Sequence, residues 1–392
     1  MILGFELTLI GREHVPFNSA MLQTIALAFP NEEVRFYAAE GHLAELRLDS
    51  ALAAHSNVVL CPISVALHRP SDPRRLPGWW VFWRIFRNLE AGLADAQPNE
   101  KHLIVLFGST TPAIFAASLF ARRCAPRLAG VQVVLHSNLN RIDLNWLIWH
   151  LRPWRDAIRR LAASTALLRA HKLVSFLALE TSIKSELERR FPSIARRTDA
   201  LPHPASVNEF SYDSVQTLCE PIRIGFPGRP VGSRGGKTFQ KLADAFQRKY
   251  GDRMEFRFIG FLKTGRHRSS DTESMPRPEY IAGLLDIHYV LLPLFLGSYT
   301  LSPSGGLMDA LTFRKPLIVT ATPYVRQLFE EFGDIGFLCE EKAQFEAALE
   351  SIMGLDQERY ARQIHALDRA RASRAPAVLA PRYRAIAASR FK

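Results

Sequence analysis

The sequence predicts an α/β protein made of two doubly wound, parallel-sheet domains facing a cleft. Three observations carry this. The chain has 392 residues, enough for two cores of ordinary size. Short runs rich in Val, Ile, Leu and Phe alternate with longer amphipathic stretches along its whole length, the pattern of strands joined by crossover helices. One stretch rich in Pro, Ser and Asn, LPHPASVNEFSYDSVQTLCEP, breaks the alternation near the middle and reads as a linker.

Taken in order, the apolar runs of the first half predict strands at 5–10, 34–38, 58–63, 102–107, 131–136 and 173–178. Helical patterns lie near 18–29, 41–54, 78–95, 111–124, 143–169 and 181–190. The second half predicts strands at 222–226, 255–259, 288–294, 317–320 and 336–339. Its helices fall near 235–249, 278–285, 305–313, 323–331, 342–353 and 357–373. The expected organisation is an N-terminal domain over 1–205, a linker over 206–220, a C-terminal domain over 221–374 and an Ala/Arg-rich helix over 375–392. Ligands of such folds bind at the carboxyl ends of the strands.

Hydrophobic residues make up 47% of the chain and charged residues 22%, which are globular values. The formal net charge of +12 implies an anionic partner, with nucleic acid, an acidic membrane and a nucleotide-sugar all in view. Cys61, Cys124, Cys219 and Cys339 are far apart, without CxxC pairs or flanking histidines. This argues against a structural zinc site or a disulfide framework and fits a reducing cytosol. The first residues, MILGFELTLI, carry Glu6 and no basic start, so they read as a buried strand rather than a signal peptide. No apolar run is long enough to predict a membrane span.

The stretch SYTLSPSGGLMDALTFRKPLIVTATPYV, from Ser298 to Val325, reads as a small polar loop, a helix and a buried strand. Ser302, Pro303, Ser304, Gly305 and Gly306 form the loop. A loop of small residues opening a helix leaves backbone N–H groups to hold an anion such as a diphosphate. Asp309, inside the helix, would then reach a ribose or sugar hydroxyl. An ordinary βα turn is the plainer reading of the same residues. Some 70 residues earlier stands IRIGFPGRPVGSRGGKTFQKLADAF, a strand ending at Gly228-Arg229, a Gly/Ser/Arg loop and a helix beginning near Gly236-Lys237. Arg229, Arg234 and Lys237 gather cations near one helix N-terminus, which suits a pyrophosphate. The loop is neither a Walker A motif nor a GxGxxG fingerprint. Alone it reads equally as a solvated basic loop.

Together these elements resemble glycosyltransferases of GT-B architecture, with two Rossmann-like domains, and most of all the family 4 pattern. In that family a Gly-Arg and a Lys-Gly pair hold the donor diphosphate. Gly228-Arg229 matches the first, and Arg234-Gly235 falls where the second is expected, with Lys237 a near alternative. The family's second element has two glutamates eight positions apart, followed by Ala and Gly-Lys-Pro. Asp309-Ala310 and Arg314-Lys315-Pro316 fit its second half, while Leu301 stands for the first glutamate and Ser304 for the glycine. The resemblance covers roughly residues 222–340. It implies a nucleotide-sugar donor held by Gly228, Ser304, Gly305, Gly306 and Asp309, with Arg229 and Arg234 or Lys237 stabilising the departing diphosphate. It also implies retention of configuration, with no metal and no other cofactor.

In the first domain VQVVLHSNLN ends a strand at His136, as in many family 4 members, where a histidine at a strand end faces the transferred sugar. A strand-terminal polar residue bonded to nearby backbone is the plainer alternative. GREHVPFNSA places Arg12, Glu13 and His14 on the acceptor side. Glu13 or His14 would contact an acceptor hydroxyl or serve as a base, unless this is an ordinary loop with Asn18 as helix N-cap. All six tryptophans lie in two aromatic-basic stretches, RRLPGWWVFWRIFRNLEAGL and RIDLNWLIWHLRPWRDAIRRLAAS. In the first, Trp79, Phe82, Trp83, Phe86 and Leu93 share a helical apolar face beside Arg84 and Arg87. This suits the headgroup region of an anionic membrane, or a core face with arginine stems over it.

The leading expectation is therefore a cytoplasmic glycosyltransferase, peripheral at the inner face of the membrane, moving a sugar from a nucleotide-sugar donor to a lipid-linked saccharide or polysaccharide acceptor. A sugar-nucleotide epimerase of the same fold is the alternative, disfavoured because Asp309 is the sole acid in 298–312. A non-catalytic partner subunit is a further one, since Leu301 replaces an expected glutamate. Nucleic acid is not expected as a partner, because the aromatics cluster in apolar helical faces and no recognised motif is present.

Overall fold

A computed structural model describes residues 1–65, 78–136, 139, 142, 153–206, 217–230, 234–263 and 272–391. The first part of the helix expected over 143–169, residues 143–152, and most of the expected linker lie outside these residues. The chain forms two compact units, one comprising Met1–Asn208 with Arg374–Lys392 and the other Glu209–Ser373.

The first unit is built on seven parallel strands: β1 (Ile2–Phe5), β2 (Val34–Ala38), β3 (Val58–Pro62), β4 (His102–Leu106), β5 (Leu128–Leu135), β6 (Val174–Leu179) and β7 (Thr198–Leu201). Their order is β3-β2-β1-β4-β5-β6-β7. Helices α1 (Val15–Ala28), α2 (Glu40–Leu46) and α3 (Ser50–Ala53) accompany the strands that step away from β1 in one direction. Helices α4 (Gly78–Ala94), α5 (Thr111–Arg123), α6 (Pro153–Leu168), α7 (Thr181–Arg190) and α8 (Pro192–Ala195) accompany those that step the other way. Right-handed crossovers therefore put the two groups on opposite faces of the sheet.

The second unit has a five-stranded parallel sheet of β8 (Ile222–Pro227), β9 (Met254–Ile259), β12 (Tyr289–Leu292), β13 (Leu317–Thr320) and β14 (Gly336–Cys339), ordered β14-β13-β12-β8-β9. A small antiparallel pair, β10 (Phe261–Lys263) and β11 (Thr272–Ser274), stands apart from it. Its helices are α9 (Gly236–Tyr250), α10 (Arg277–Asp286), α11 (Leu296–Tyr299), α12 (Gly305–Thr312), α13 (Pro323–Phe332), α14 (Lys342–Ile352) and α15 (Gln357–Ala372). Its core interleaves Ile222, Ile224, Val290, Leu292, Ile318 and Val319 with the inner faces of these helices.

The chain then returns to the first unit. The last helix, α16 (Pro376–Arg390), packs along α1 and adds Leu379, Tyr383 and Ala387 to that unit's core. The Tyr383 hydroxyl donates to Gln132 Oε1 at 2.8 Å, and Arg390 grips Asp199 with two hydrogen bonds of 2.6 and 2.9 Å. A buried ion pair precedes the helix: Arg374 Nη2 lies 3.3 Å from Glu180 Oε2. Glu180 Oε1 accepts from the backbone N–H of His203 at 2.8 Å, and the Arg374 carbonyl accepts from Ala205 N–H at 3.0 Å. Glu180 holds a φ of 127°, a region that L-residues avoid; the fixed partners on both carboxylate oxygens hold it there.

Several expected boundaries move. The first strand spans 2–5 rather than 5–10. Glu6 ends the paired run because its carboxylate accepts from Thr8 N–H and turns the chain. The helix expected over 41–54 is two, because Asp49 caps a new start by accepting from Ala51 and Leu52 N–H. The short strand β7, sequence TDAL, lacks the apolar run that marks the others. On α4 the buried row is Val81, Ile85, Phe86, Leu89 and Leu93, while Trp79, Trp80 and Trp83 face solvent. The expected apolar face is thus corrected: the aliphatic row fits under the neighbouring helix, and the indoles lie outside it.

Replacing Glu180 by alanine would leave Arg374 charged and buried without its partner. The expected cost is about 3–5 kcal/mol of stability, read from the midpoint of urea unfolding. Undiminished stability would show that the pair is not a fixed part of the first unit.

Candidate active site

In the second unit the strand order reverses between β8 and β12, so the chain ends leave a crevice at their carboxyl edges. The loop after β8 starts at Gly228, whose φ of 88° favours glycine. Its N–H donates to Ile259 O at 2.7 Å, fixing the loop to the end of β9. Gly235 (φ 81°) caps α9, and a side chain there would strike Pro293 O at 1.9 Å, so the helix start is pressed against the end of β12. Gly306, in the first turn of α12, lies so close to Pro227 that a Cβ would sit 3.0 Å from its carbonyl oxygen. The two glycine loops of the sequence therefore meet at one place, the carboxyl end of β8.

Arg234 joins them. Its Nη1 would lie 3.1 Å from a Cβ on Gly228, and its positive charge acts on the Tyr299 phenol. Burial raises the Tyr299 pKa and Arg234 partly offsets this. Arg229 follows Gly228 on the loop, and Lys237 lies exposed in the first turn of α9. Ser304 is the N-cap residue of α12, and Gly305 and Gly306 are its first residues. Arg234 and two helix N-termini thus meet at the end of β8, and helix N-termini with a cation beside them favour anions in general.

Asp309 makes contacts within its own unit. Its Oδ2 accepts from the Tyr280 hydroxyl at 2.5 Å, and its Oδ1 lies 3.5 Å from Arg277 Nη2, both from α10. The guanidinium of Arg277 also sits 5.0 Å from the Tyr280 ring centroid. Asp309 therefore ties α12 to α10, with both oxygens engaged. Leu301 is buried in the core at 1% exposure.

In the first unit the order reverses between β1 and β4. His14 ends the β1–α1 loop with a left-handed φ of 62°, and it, rather than Asn18, is the residue that precedes α1. The His14 ring lies 4.5 Å from that of His136 at the end of β5. Phe17 packs 4.6 Å from His136 and 4.9 Å from His203, and the two histidines are 5.5 Å apart. Burial first, then the neighbouring His14 and His203, hold His136 well below its ordinary pKa. Burial likewise lowers His203 from 6.5 to about 4. Its Nδ1–H donates to Pro204 O at 2.9 Å, which leaves Nε2 as an acceptor. His136 and His203 are thus held neutral at pH 7 and can accept a hydrogen bond from a sugar hydroxyl. Arg12 is drawn aside, pairing with Glu45 at 2.9 Å, while Glu13 is exposed on the same loop.

Glu6 lies fully buried at the end of β1, with Oε1 accepting from Thr8 N–H at 3.0 Å and Thr8 Oγ1 at 2.8 Å. Asn18 donates to His42 Nε2 at 2.9 Å, while His42 Nδ1 donates to Gly11 O at 2.7 Å. Asn18 Oδ1 and the Ser109 hydroxyl beyond β4 are buried with no hydrogen-bond partner among the described residues. Groups of this kind are ordinarily satisfied. The signal in the sequence was the lone acid in MILGFELTLI; His203, Glu180, Tyr280 and Tyr299 gave none.

No protein-family model matches the chain, and no curated protein matches it in sequence. Solved structures do. A UDP-forming α,α-trehalose-phosphate synthase from Burkholderia xenovorans, in complex with glucose-6-phosphate, is 11% identical with a TM-score of 0.61, covering 99% of this chain and 100% of that one. WaaG, a glycosyltransferase involved in lipopolysaccharide biosynthesis, is 13% identical with a TM-score of 0.53, covering 98% and 99%. A UDP-GlcNAc 2-epimerase from Neisseria meningitidis, bound to UDP-GlcNAc, is 15% identical with a TM-score of 0.50, covering 99% and 98%. These likenesses show the fold: two Rossmann-like domains of GT-B architecture.

The lowered His203 pKa makes stability depend on pH. The unfolded chain binds its proton below pH 6.5 and the folded chain only near pH 4. Stability is therefore lost as pH falls through this window, by up to about 1.4 kcal/mol per pH unit for such a group. His203→Gln should flatten the decline of melting temperature between pH 6.5 and 4.5; an unchanged slope would count against a neutral, buried imidazole.

Proposed function

We propose that this chain is a glycosyltransferase that takes its sugar from a nucleotide-sugar donor bound at the β8 end of the second unit. The supporting observation is the convergence of Gly228, Arg234 and Gly306 there, with α9 and α12 both opening toward the same place. Fixed cations at helix N-termini stabilise negative charge that grows on a departing diphosphate. In this reading Arg229 and Arg234 carry that role, with Lys237 nearby. Ser304, Gly305 and Gly306 supply backbone N–H groups. Asp309 acts by holding α12 against α10 through Tyr280.

The resemblance to family 4 suggests retention of configuration and a reaction that uses no metal. In the first unit His136, His14 and Glu13 form the acceptor side, with buried Asn18 and Ser109 available to a polar ligand. The acceptor we propose is a lipid-linked saccharide or polysaccharide, and the setting is cytoplasmic, at the inner membrane face. The epimerase reading keeps the same donor site. It is the weaker one, because the only acid on α12, Asp309, already has both oxygens engaged.

A thermal-shift screen with UDP-, GDP-, ADP- and TDP-sugars should single out one nucleotide by a raised melting temperature, and no shift with any of them would sink the proposal. Arg229→Ala and Arg234→Ala should each lower kcat by roughly 100-fold or more, the scale of losing a group that stabilises transition-state charge, without loss of fold. Transfer at the wild-type rate would remove the assignment. EDTA should leave turnover unchanged. Incubation with the donor alone should give no epimer; an epimerised sugar would favour the other reading.

A further inference from the structure

The helices α4 and α5 share one face of the first unit's sheet, and their outer surface is unlike the rest of the molecule. Trp79, Trp80 and Trp83 are 58%, 50% and 46% exposed. Trp79 and Trp80 stack at 4.5 Å, and Phe82 meets Trp83 edge-on at 5.2 Å. Exposed Phe115 and Leu119 extend the apolar surface onto α5. A groove of about 670 Å³ runs between the helices, floored by Phe82, Pro112, Phe115 and Leu119 and rimmed by Arg122, Arg169 and His171. A second hollow of about 400 Å³ lies among the three tryptophans, Arg84 and Arg87.

The charge on this face is predominantly positive. The two helices carry Arg84, Arg87, Arg122 and Arg123 against a single acid, Glu90, which pairs with Arg123 at 3.4 Å. Arg84 is held by the Ser64 carbonyl at 3.2 Å. Arg87, Arg122 and Arg169 make no ion pair among the described residues. Large apolar surface rimmed by exposed arginines is complementary to one kind of surface above others, an anionic bilayer. Indole rings rest at the headgroup level, and guanidinium groups meet lipid phosphates. No helix among the described residues is long and apolar enough to cross a membrane, and the inner row of α4 is spent on the protein core, so α4 would lie along the interface.

We infer that the α4–α5 face docks on the surface of an anionic phospholipid bilayer, with Trp79, Trp80 and Trp83 entering the headgroup layer and Arg87, Arg122 and Arg169 on lipid phosphates. This surface belongs to the first unit and the proposed donor site to the second, so the inference does not rest on the transferase reading.

The test is flotation of the full chain with vesicles of phosphatidylcholine alone and of phosphatidylcholine mixed with phosphatidylglycerol, at low salt. The wild type should float with the mixed vesicles, with a blue shift of tryptophan fluorescence, and stay unbound with the neutral ones. Arg87→Gln/Arg122→Gln/Arg169→Gln should lower the partition coefficient by on the order of 100-fold, from about 1 kcal/mol per cation. Trp79→Ala/Trp80→Ala/Trp83→Ala should lower it at least about 10-fold, since each indole contributes a large buried area. Circular dichroism and the donor thermal shift should be unchanged in both variants. Absence of wild-type binding to the mixed vesicles, equal binding to neutral ones, or variants that bind as tightly as the wild type would each overturn the inference. So would a tryptophan-dependent dimer in sedimentation without vesicle binding, because the face would then be covered by a second copy.

Discussion

Parallel strands can be joined only by crossovers, and crossovers are right-handed. That constraint places every residue that matters here. In each unit the chain winds one way from a central strand and then the other, so the connections part at one point on the carboxyl edge, between β1 and β4 in the first unit and between β8 and β12 in the second. Backbone N–H groups of the following helices point toward these openings. The glycines at 228, 235 and 306 let the chain close in on the second of them, each at a position where a Cβ would strain the backbone or crowd a neighbour.

Around this frame, buried polar groups fix geometry that apolar packing would leave loose. Glu6 turns the end of β1, Glu180 fastens the segment after β7 to Arg374, and Asp309 joins α12 to α10. In each case the carboxylate has named donors, so its burial is compensated. The Arg374 contact has a topological effect as well. It marks where the chain leaves the second unit, after which α16 completes the core of the first beside α1. The C-terminal helix is thus part of the unit that begins the sequence.

The two openings differ in chemistry. The one in the second unit is cationic and glycine-lined, suited to phosphate. The one in the first unit gathers His136 and His203, held neutral by burial, suited to hydroxyl groups. The α4–α5 surface is different again, with indoles outward and arginines around them. Its exposed aromatic area is retained although the same helix has an aliphatic row ample for packing.

The strand–helix alternation of the sequence determined the fold class, most strand positions and the places of the two glycine loops. Val34–Ala38, Leu317–Thr320 and Gly336–Cys339 fall where the apolar runs place them. Periodicity and glycine placement are local properties, and local pattern is enough for them. Other features depended on partners distant in sequence. That Arg234 acts on Tyr299, that Asp309 meets Tyr280 and Arg277, and that His14, His136, His203 and Phe17 gather follow only from the winding of the sheets. The same holds for the tryptophans of α4. Their spacing allowed a core face or a surface one, and the choice fell to Val81, Ile85 and Leu89, whose side chains fit beneath the neighbouring helix and turned the indoles to solvent.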